Sequence, residues 1–335
     1  MISSDEWSNC MSSIPYSRYL IYPVPWYSFL IVTGIVLAVF LAYREERRTG
    51  LQKDTVLDLA LYLIPSGIIG ARIYYVIFSW NQFSSDLWSV FRIWEGGIAI
   101  YGGIIGGFTA LLVFSRKRRI SPLILCDLIA PGLALAQCIG RWGNWFNIEA
   151  YGLKITKKML CFFPIAVQVP ADGNAWHLAA FFYESVWALL ICIFLLAFRH
   201  RKLSGKGDVF FFYLFLYAAG RLVIEETRID SLYLSSSIRV SQLLSVLLCL
   251  FVLIRYILIA GKNKSLSVLT RFVFIPLALV AACFSLVYSL SGFIAASWPA
   301  FRILLCLSLS SLFMMLCLFS VRFSASFREV PHADN

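Results

Sequence analysis

Of the 335 residues, 60% are hydrophobic and 14% charged; a soluble domain carries about 25% charged residues, so a soluble globular protein is excluded. The net charge of +11 falls in short clusters between apolar runs rather than on one surface. It is therefore topology information, and no nucleic-acid partner is implied. Nine cysteines form no CxxC pair and three histidines lie far apart, so no metal-ligand spacing is present.

At about 20 apolar residues per crossing, the chain predicts nine spans: 23–43, 56–79, 97–114, 122–141, 178–198, 209–227, 238–260, 272–292 and 297–320. The first is expected to stay in place, because Asp5 and Glu6 precede it and a basic n-region does not. Arg44, Arg47, Arg48 and Lys53 follow the first span, and Arg116, Lys117, Arg118 and Arg119 the third. Arg199, Arg201, Lys202 and Lys206 follow the fifth, and Lys262, Lys264 and Arg271 the seventh. The positive-inside rule puts these loops in the cytoplasm, the N-terminus outside and the tail inside. Lys154, Lys157 and Lys158 oppose the rule, in a long outer segment, 142–177, that is too irregular for a span and leaves room for interfacial helices. Residues 261–271 form a boundary. A core of seven transmembrane helices is expected over 1–262, and a two-helix hairpin with a short cytoplasmic tail over 263–335. The fold class is an all-α integral membrane protein.

Ionisable residues inside a membrane are costly, and each marks a candidate site. With this topology Tyr27 lies near the outer end of the first span, Arg72 in the outer part of the second and Tyr101 in the outer turns of the third. The fourth delivers Arg141, Asn144, Asn147 and Glu149 at its outer end, and the sixth carries Tyr217, Arg221 and Glu225. The level is that of a lipid headgroup. Tyr217, Arg221 and Glu225 are spaced i, i+4, i+8, one stripe of a helix. Two arginine forks, Arg141 and Arg221, suit a phosphodiester, with Glu149 and Glu225 orienting them. The alternative is that Arg221–Glu225 merely pins two helices and Arg141 snorkels. Gly102 and Gly103, within the GGIAIYGGIIGG run, allow close helix packing and close approach of the Tyr101 region to a lipid. Ser66 and Gly70 make a looser small-xxx-small pair.

The stretch GRWGNWFNIEAYG at 140–152 closely resembles the signature of the prolipoprotein diacylglyceryl transferase family. CDLIAP at 126–131, GARIYYVIF at 70–78, FRIWEGGIAIYGGIIGG at 91–107, YAAGRLVIEETR at 217–228, FFYES at 181–185 and IRVSQLLS at 238–245 resemble further family blocks, in family order. Two departures stand out. The family's histidine in the third-helix block is Tyr101 here, and its His-Pro pair before the Tyr-Glu pair is missing, with His177 nearby but out of register.

The resemblance implies a transferase of bacterial lipoprotein biosynthesis, multi-pass in the cytoplasmic (inner) membrane, with its site toward the outer leaflet. Its substrates would be phosphatidylglycerol and the lipobox cysteine of a prolipoprotein signal peptide, with no cofactor and no metal. The thiolate attacks the glyceryl carbon bearing the phosphate ester, a thioether forms and glycerol-1-phosphate leaves. Arg141, Arg221, Tyr101, Glu225 and Glu149 would be catalytic. Tyr27, Arg72, Asn144, Asn147, Gly152, Tyr217, Gly102 and Gly103 would bind substrate. A thiol ionises near pH 8.5 and a tyrosine near pH 10, so a phenol at position 101 is a weak base. Three readings stay open: an arginine favours the phenolate, the site's positive field makes the thiolate directly while Tyr101 positions it, or the chain is a weakened paralogue that binds phosphatidylglycerol. A lipid transporter or lipid-binding scaffold is the competing class, though transporters usually carry internal symmetry and none is found here. For 263–335, a peripheral hairpin and a docking surface for other lipoprotein-processing enzymes are the two readings.

Overall fold

The computed structural model describes residues 17–155, 158–200, 205–229, 233–235 and 238–262. Among these, the long helices are α1 (Trp26–Glu46), α2 (Thr55–Phe78), α3 (Ile100–Arg118), α4 (Pro122–Asn147), α5 (Ala180–Arg199), α6 (Asp208–Ile224) and α7 (Val240–Lys262). Each of the first seven expected spans coincides with one of them, and the spans at 272–292 and 297–320 lie outside the described residues. Four helices, α1, α2, α4 and α5, are long and apolar enough to cross a membrane. Three two-stranded pairs accompany them: β1 (Tyr19–Ile21) with β2 (Val24–Pro25) ahead of α1, β3 (Ala166–Val169) with β4 (Ala175–Leu178) between α4 and α5, and β5 (Tyr233–Ser235) with β6 (Ile238–Arg239) between α6 and α7.

Helix ends follow local chemistry. Arg119 takes a left-handed conformation (φ 56°) and closes α3, whose last turn carries Arg116, Lys117 and Arg118 against the negative end of the helix dipole. Pro122 opens α4, where a missing N–H costs nothing. That helix continues to Asn147, so the first six residues of the expected irregular 142–177 segment are helical, and the left-handed Ile148 and Ala150 (φ 55° and 56°) follow its end. Beyond it the described residues of the 142–177 segment hold two 3-10 turns, Lys158–Leu160 and Pro170–Asp172, and the β3–β4 hairpin rather than a longer interfacial helix.

The described chain forms two compact units. One is Ile35–Leu133; the other takes the residues up to Gly34 and from Ala134 on. In the 35–133 unit, α2 and α3 pack through small residues. A Cβ on Gly102 or Gly106 would collide with the carbonyls of Gly70 and Ser66, and a Cβ on Gly70 would lie 3.0 Å from the Gly106 Cα. This is the close backbone approach that GxxxG spacing permits. Ala42, Val56 and Leu128 form a small core. Buried Glu46 accepts the backbone N–H of Val56 at 2.7 Å, satisfying one donor at the start of α2.

In the second unit α5 and α6 pack through aromatics. The Trp187 indole fills the space that a side chain at Gly220 would need and donates to the Leu216 carbonyl at 2.9 Å. Phe194 and Phe198 stack on each other, and Phe212 meets both edge-on. Asp208 ties α6 to α7 by accepting from the Tyr256 hydroxyl at 3.0 Å. Val167, Ala179 and Phe181 make a second core, covered by Trp142, Trp145 and Phe163.

Candidate active site

The residues expected from sequence divide between the units, and each set is described by itself. In the second unit, α4, α5 and α6 converge on a single carboxylate. Glu184 of α5, its side chain 6% exposed, pairs with three arginines: Arg141 Nε lies 2.6 Å from Oε2, Arg228 Nη1 lies 3.1 Å from Oε1, and Arg221 Nη1 also contacts Oε1. Arg221 Nη2 reaches Glu225 Oε2 at 3.0 Å, across the i, i+4 step. Glu225, 2% exposed, starts the 3-10 turn after α6, and its carbonyl accepts from Arg239. Among the described residues, the three guanidiniums on Glu184 meet two carboxylates and a fourth, Arg239, lies against the Glu225 carbonyl, so these groups together stay positive when both acids are ionised. Arg141 and Arg221 keep 25% and 20% of their side chains exposed. They do so at a cleft lined also by Gln137, Glu184, Trp187, Ala188, Tyr217, Gly220 and Ile224. Fixed positive charge at a partly dry cleft is suited to an anionic oxygen that gains charge during reaction.

Around the signature, Asn147 Oδ1 accepts from Arg18 at 3.2 Å and its Nδ2 donates to Glu149 Oε1 at 3.1 Å. Glu149 thus orients Asn147, and the carboxylate set against Arg141 is Glu184. The backbone carbonyl of Asn144 accepts from the Glu149 N–H at 3.0 Å. Tyr27 packs against Gly143, where a Cβ would meet the ring at 2.6 Å. The ring of Tyr217 stacks on Tyr213. Gly152 is held by packing: its N–H donates to the Leu178 carbonyl at 2.7 Å, and a Cβ would come within 2.5 Å of the Thr227 carbonyl. Its own carbonyl accepts from His177 Nδ1 at 2.9 Å. The other ring nitrogen of His177 meets Asp172 at 3.0 Å, and Lys154 lies equally close to the same oxygen. The Lys154 and His177 hydrogen bonds hold the Asp172 carboxyl below its ordinary range.

The 35–133 unit holds Arg72, Tyr101, Gly102 and Gly103. Arg72 is buried, and its guanidinium donates to the carbonyls of Val90 (2.8 Å), Ser89 (2.6 Å), Gly96 (2.6 Å) and Gly97 (2.8 Å), with Arg92 O at 3.4 Å. These carbonyls occupy its fork, and the arginine organises the 89–97 loop. Tyr101 is 50% exposed, its ring 6.3 Å from that of Tyr74. Among the described residues no hydrogen-bond partner faces its hydroxyl. Gly102 and Gly103 face α2, at Gly70 and Gly67 respectively.

Glu184 escaped the set of residues singled out from sequence. A carboxylate within the apolar 178–198 run is the same signal that selected Arg221.

The profile described as prolipoprotein diacylglyceryl transferase matches residues 17–258. The chain belongs to this family. A protein of Streptococcus agalactiae serotype Ia, named phosphatidylglycerol–prolipoprotein diacylglyceryl transferase, is 46% identical over 230 residues, covering 68% of this chain and 88% of that one. Proteins of the same name from Streptococcus mutans serotype c (45% over 245 residues, 72% and 92%) and Limosilactobacillus reuteri (43% over 250 residues, 72% and 89%) are similarly close. Membership and the apolar helices make this a multi-pass membrane protein and a transferase of lipoprotein biosynthesis.

Proposed function

We propose that this chain transfers the diacylglyceryl group of phosphatidylglycerol to the lipobox cysteine of a prolipoprotein. The cysteine thiolate attacks the glyceryl carbon that bears the phosphate ester. A C–S bond forms, the C–O bond breaks, and glycerol-1-phosphate leaves with the electron pair. The observation that carries the reading is the arginine cluster on Glu184 at the α4–α5–α6 cleft. Arg141 and Arg221 face the phosphate and stabilise the charge it gains on leaving. Glu184 and Glu225 fix the forks that do this. Asn144, Asn147 and Glu149 frame the glycerol side, with Tyr27 and Tyr217 against the headgroup. The net positive charge favours the substrate thiolate over the thiol, and Tyr101 positions substrate without taking a proton.

The same reading places the N-terminus outside the cytoplasmic membrane, seven helices in the core over 1–262, and the site toward the outer leaflet. The basic loops support that orientation.

A transfer assay on the purified protein tests the function, with phosphatidylglycerol and a lipobox peptide, reading glycerol-phosphate release and peptide mass. Transfer by the native chain that is lost in Arg141→Ala and Arg221→Ala is the expected result. Absence of transfer with phosphatidylglycerol still bound would make the protein a lipid-binding relative.

A further inference from the structure

One side chain of the cleft has no part in the chemistry above. Gln137 lies one turn before Arg141 on α4, so both project from the same helix face, and both line the cleft. Its Oε1 is buried and, among the described residues, has no hydrogen-bond partner. The amide lies near the hydroxyl of Tyr213, which is itself buried. A buried amide oxygen without a partner costs free energy, and at the wall of a binding cleft the natural partner is a ligand group.

We propose that Gln137 reads the lipid headgroup, selecting a hydroxylated, uncharged one. The proposal rests on the transferase reading and names the specificity determinant of that same cleft. A hydroxyl both donates and accepts, so it complements the amide whichever of its ends faces the cleft. An ammonium headgroup donates only, and it would enter beside Arg141 and Arg221, where the like charge opposes it. A headgroup without hydroxyls leaves the amide unpaired, and sites built to pair a hydroxyl discriminate strongly against analogues lacking it. The phosphate is common to all these lipids and is the business of the arginines. Gln137 distinguishes what hangs from it.

The test compares phosphatidylglycerol with phosphatidylpropanol, which has the same phosphodiester and acyl chains but no headgroup hydroxyl. Both are presented in detergent with a lipobox peptide, and kcat/KM is read from thioether mass. The native chain is expected to prefer phosphatidylglycerol by about tenfold or more, the scale of one buried hydrogen bond. Gln137→Met keeps the side-chain length and loses the amide; it should lower kcat/KM for phosphatidylglycerol far more than for the analogue, bringing the ratio near one. Gln137→Glu keeps an acceptor and should retain a preference. A native ratio near one would overturn the proposal, as would a Gln137→Met ratio equal to the native one or a parallel loss on both lipids. Absence of transfer from either lipid by the native chain would instead overturn the function on which the proposal rests.

Discussion

Two arginine environments among the described residues are built on opposite principles. In the 35–133 unit, Arg72 spends its fork on the carbonyls of Ser89, Val90, Gly96 and Gly97. In the second unit, Arg141, Arg221 and Arg228 share Glu184 and keep part of their surface at a cleft. Both satisfy the rule that charge inside a membrane must be compensated. Carbonyl dipoles compensate Arg72 completely and lock a loop. The carboxylates offset the second group only partly, leaving positive charge at an opening. An intramembrane arginine is thus a site candidate in proportion to the donors and field that its own protein leaves over.

The contrast is broken most directly at Glu184. Glu184→Gln leaves three guanidiniums around a neutral amide. Stripping one partner from a buried ion pair costs about 3–5 kcal/mol, and transfer is expected to fall about 100-fold as the forks lose their register. Thermal unfolding in detergent and the transfer assay read the two effects separately. Arg72→Lys probes the other side. A point-charge ammonium cannot span the four carbonyls, so a loss of about 2–4 kcal/mol in stability is expected, with kcat altered by less than about threefold where the protein remains folded. Loss of turnover without loss of stability would show that Arg72 touches substrate and would erase the distinction.

Much of this was legible in the sequence, and the reasons are physical. Helix positions could be read because apolar length is dictated by bilayer thickness. Arg221–Glu225 could be read because i, i+4 neighbours are fixed by helix geometry. The pairing of Arg141 with Glu184 could not: the partners are 43 positions apart on different helices, and no local spacing encodes that. Glu149 was the nearer acid in sequence, yet α4 ends between it and Arg141, and it turns to Asn147 instead. Nor could periodicity show that loop carbonyls 17 to 25 residues downstream would occupy Arg72. The β3–β4 hairpin was missed because its four-residue strands lie in a segment without a sustained period.

Smaller effects sharpen the picture. Gly106→Ala drives a methyl into the Ser66 carbonyl and should cost about 1–3 kcal/mol, read as a lower Tm. Tyr101→Phe removes a hydroxyl that faces no described partner; transfer should change by less than about threefold and stability by less than about 0.5 kcal/mol. Tyr101→His should bring no large gain, and a large gain would mark the native site as impaired. The smallest effect belongs to Asp172. Its carboxyl is held below the ordinary 3.8 first by Lys154 and then by His177, so its contribution is present above that pH and fades as the pH falls through the lowered value. Asp172→Asn should lower Tm slightly at pH 7 and leave it unchanged at acid pH, so that the acid limb of a stability profile flattens.

Glu184 has a kinetic consequence. Because its two oxygens already sit on the guanidiniums, an arriving phosphate takes the donors that Glu184 leaves over and competes with it, as a resident anion, for the rest. The same resident stands ready when the leaving group has gained charge and would otherwise cling to the arginines. An internal competitor of this kind weakens the grip on the anionic product and so favours its departure, letting one site be electropositive enough for catalysis and still turn over.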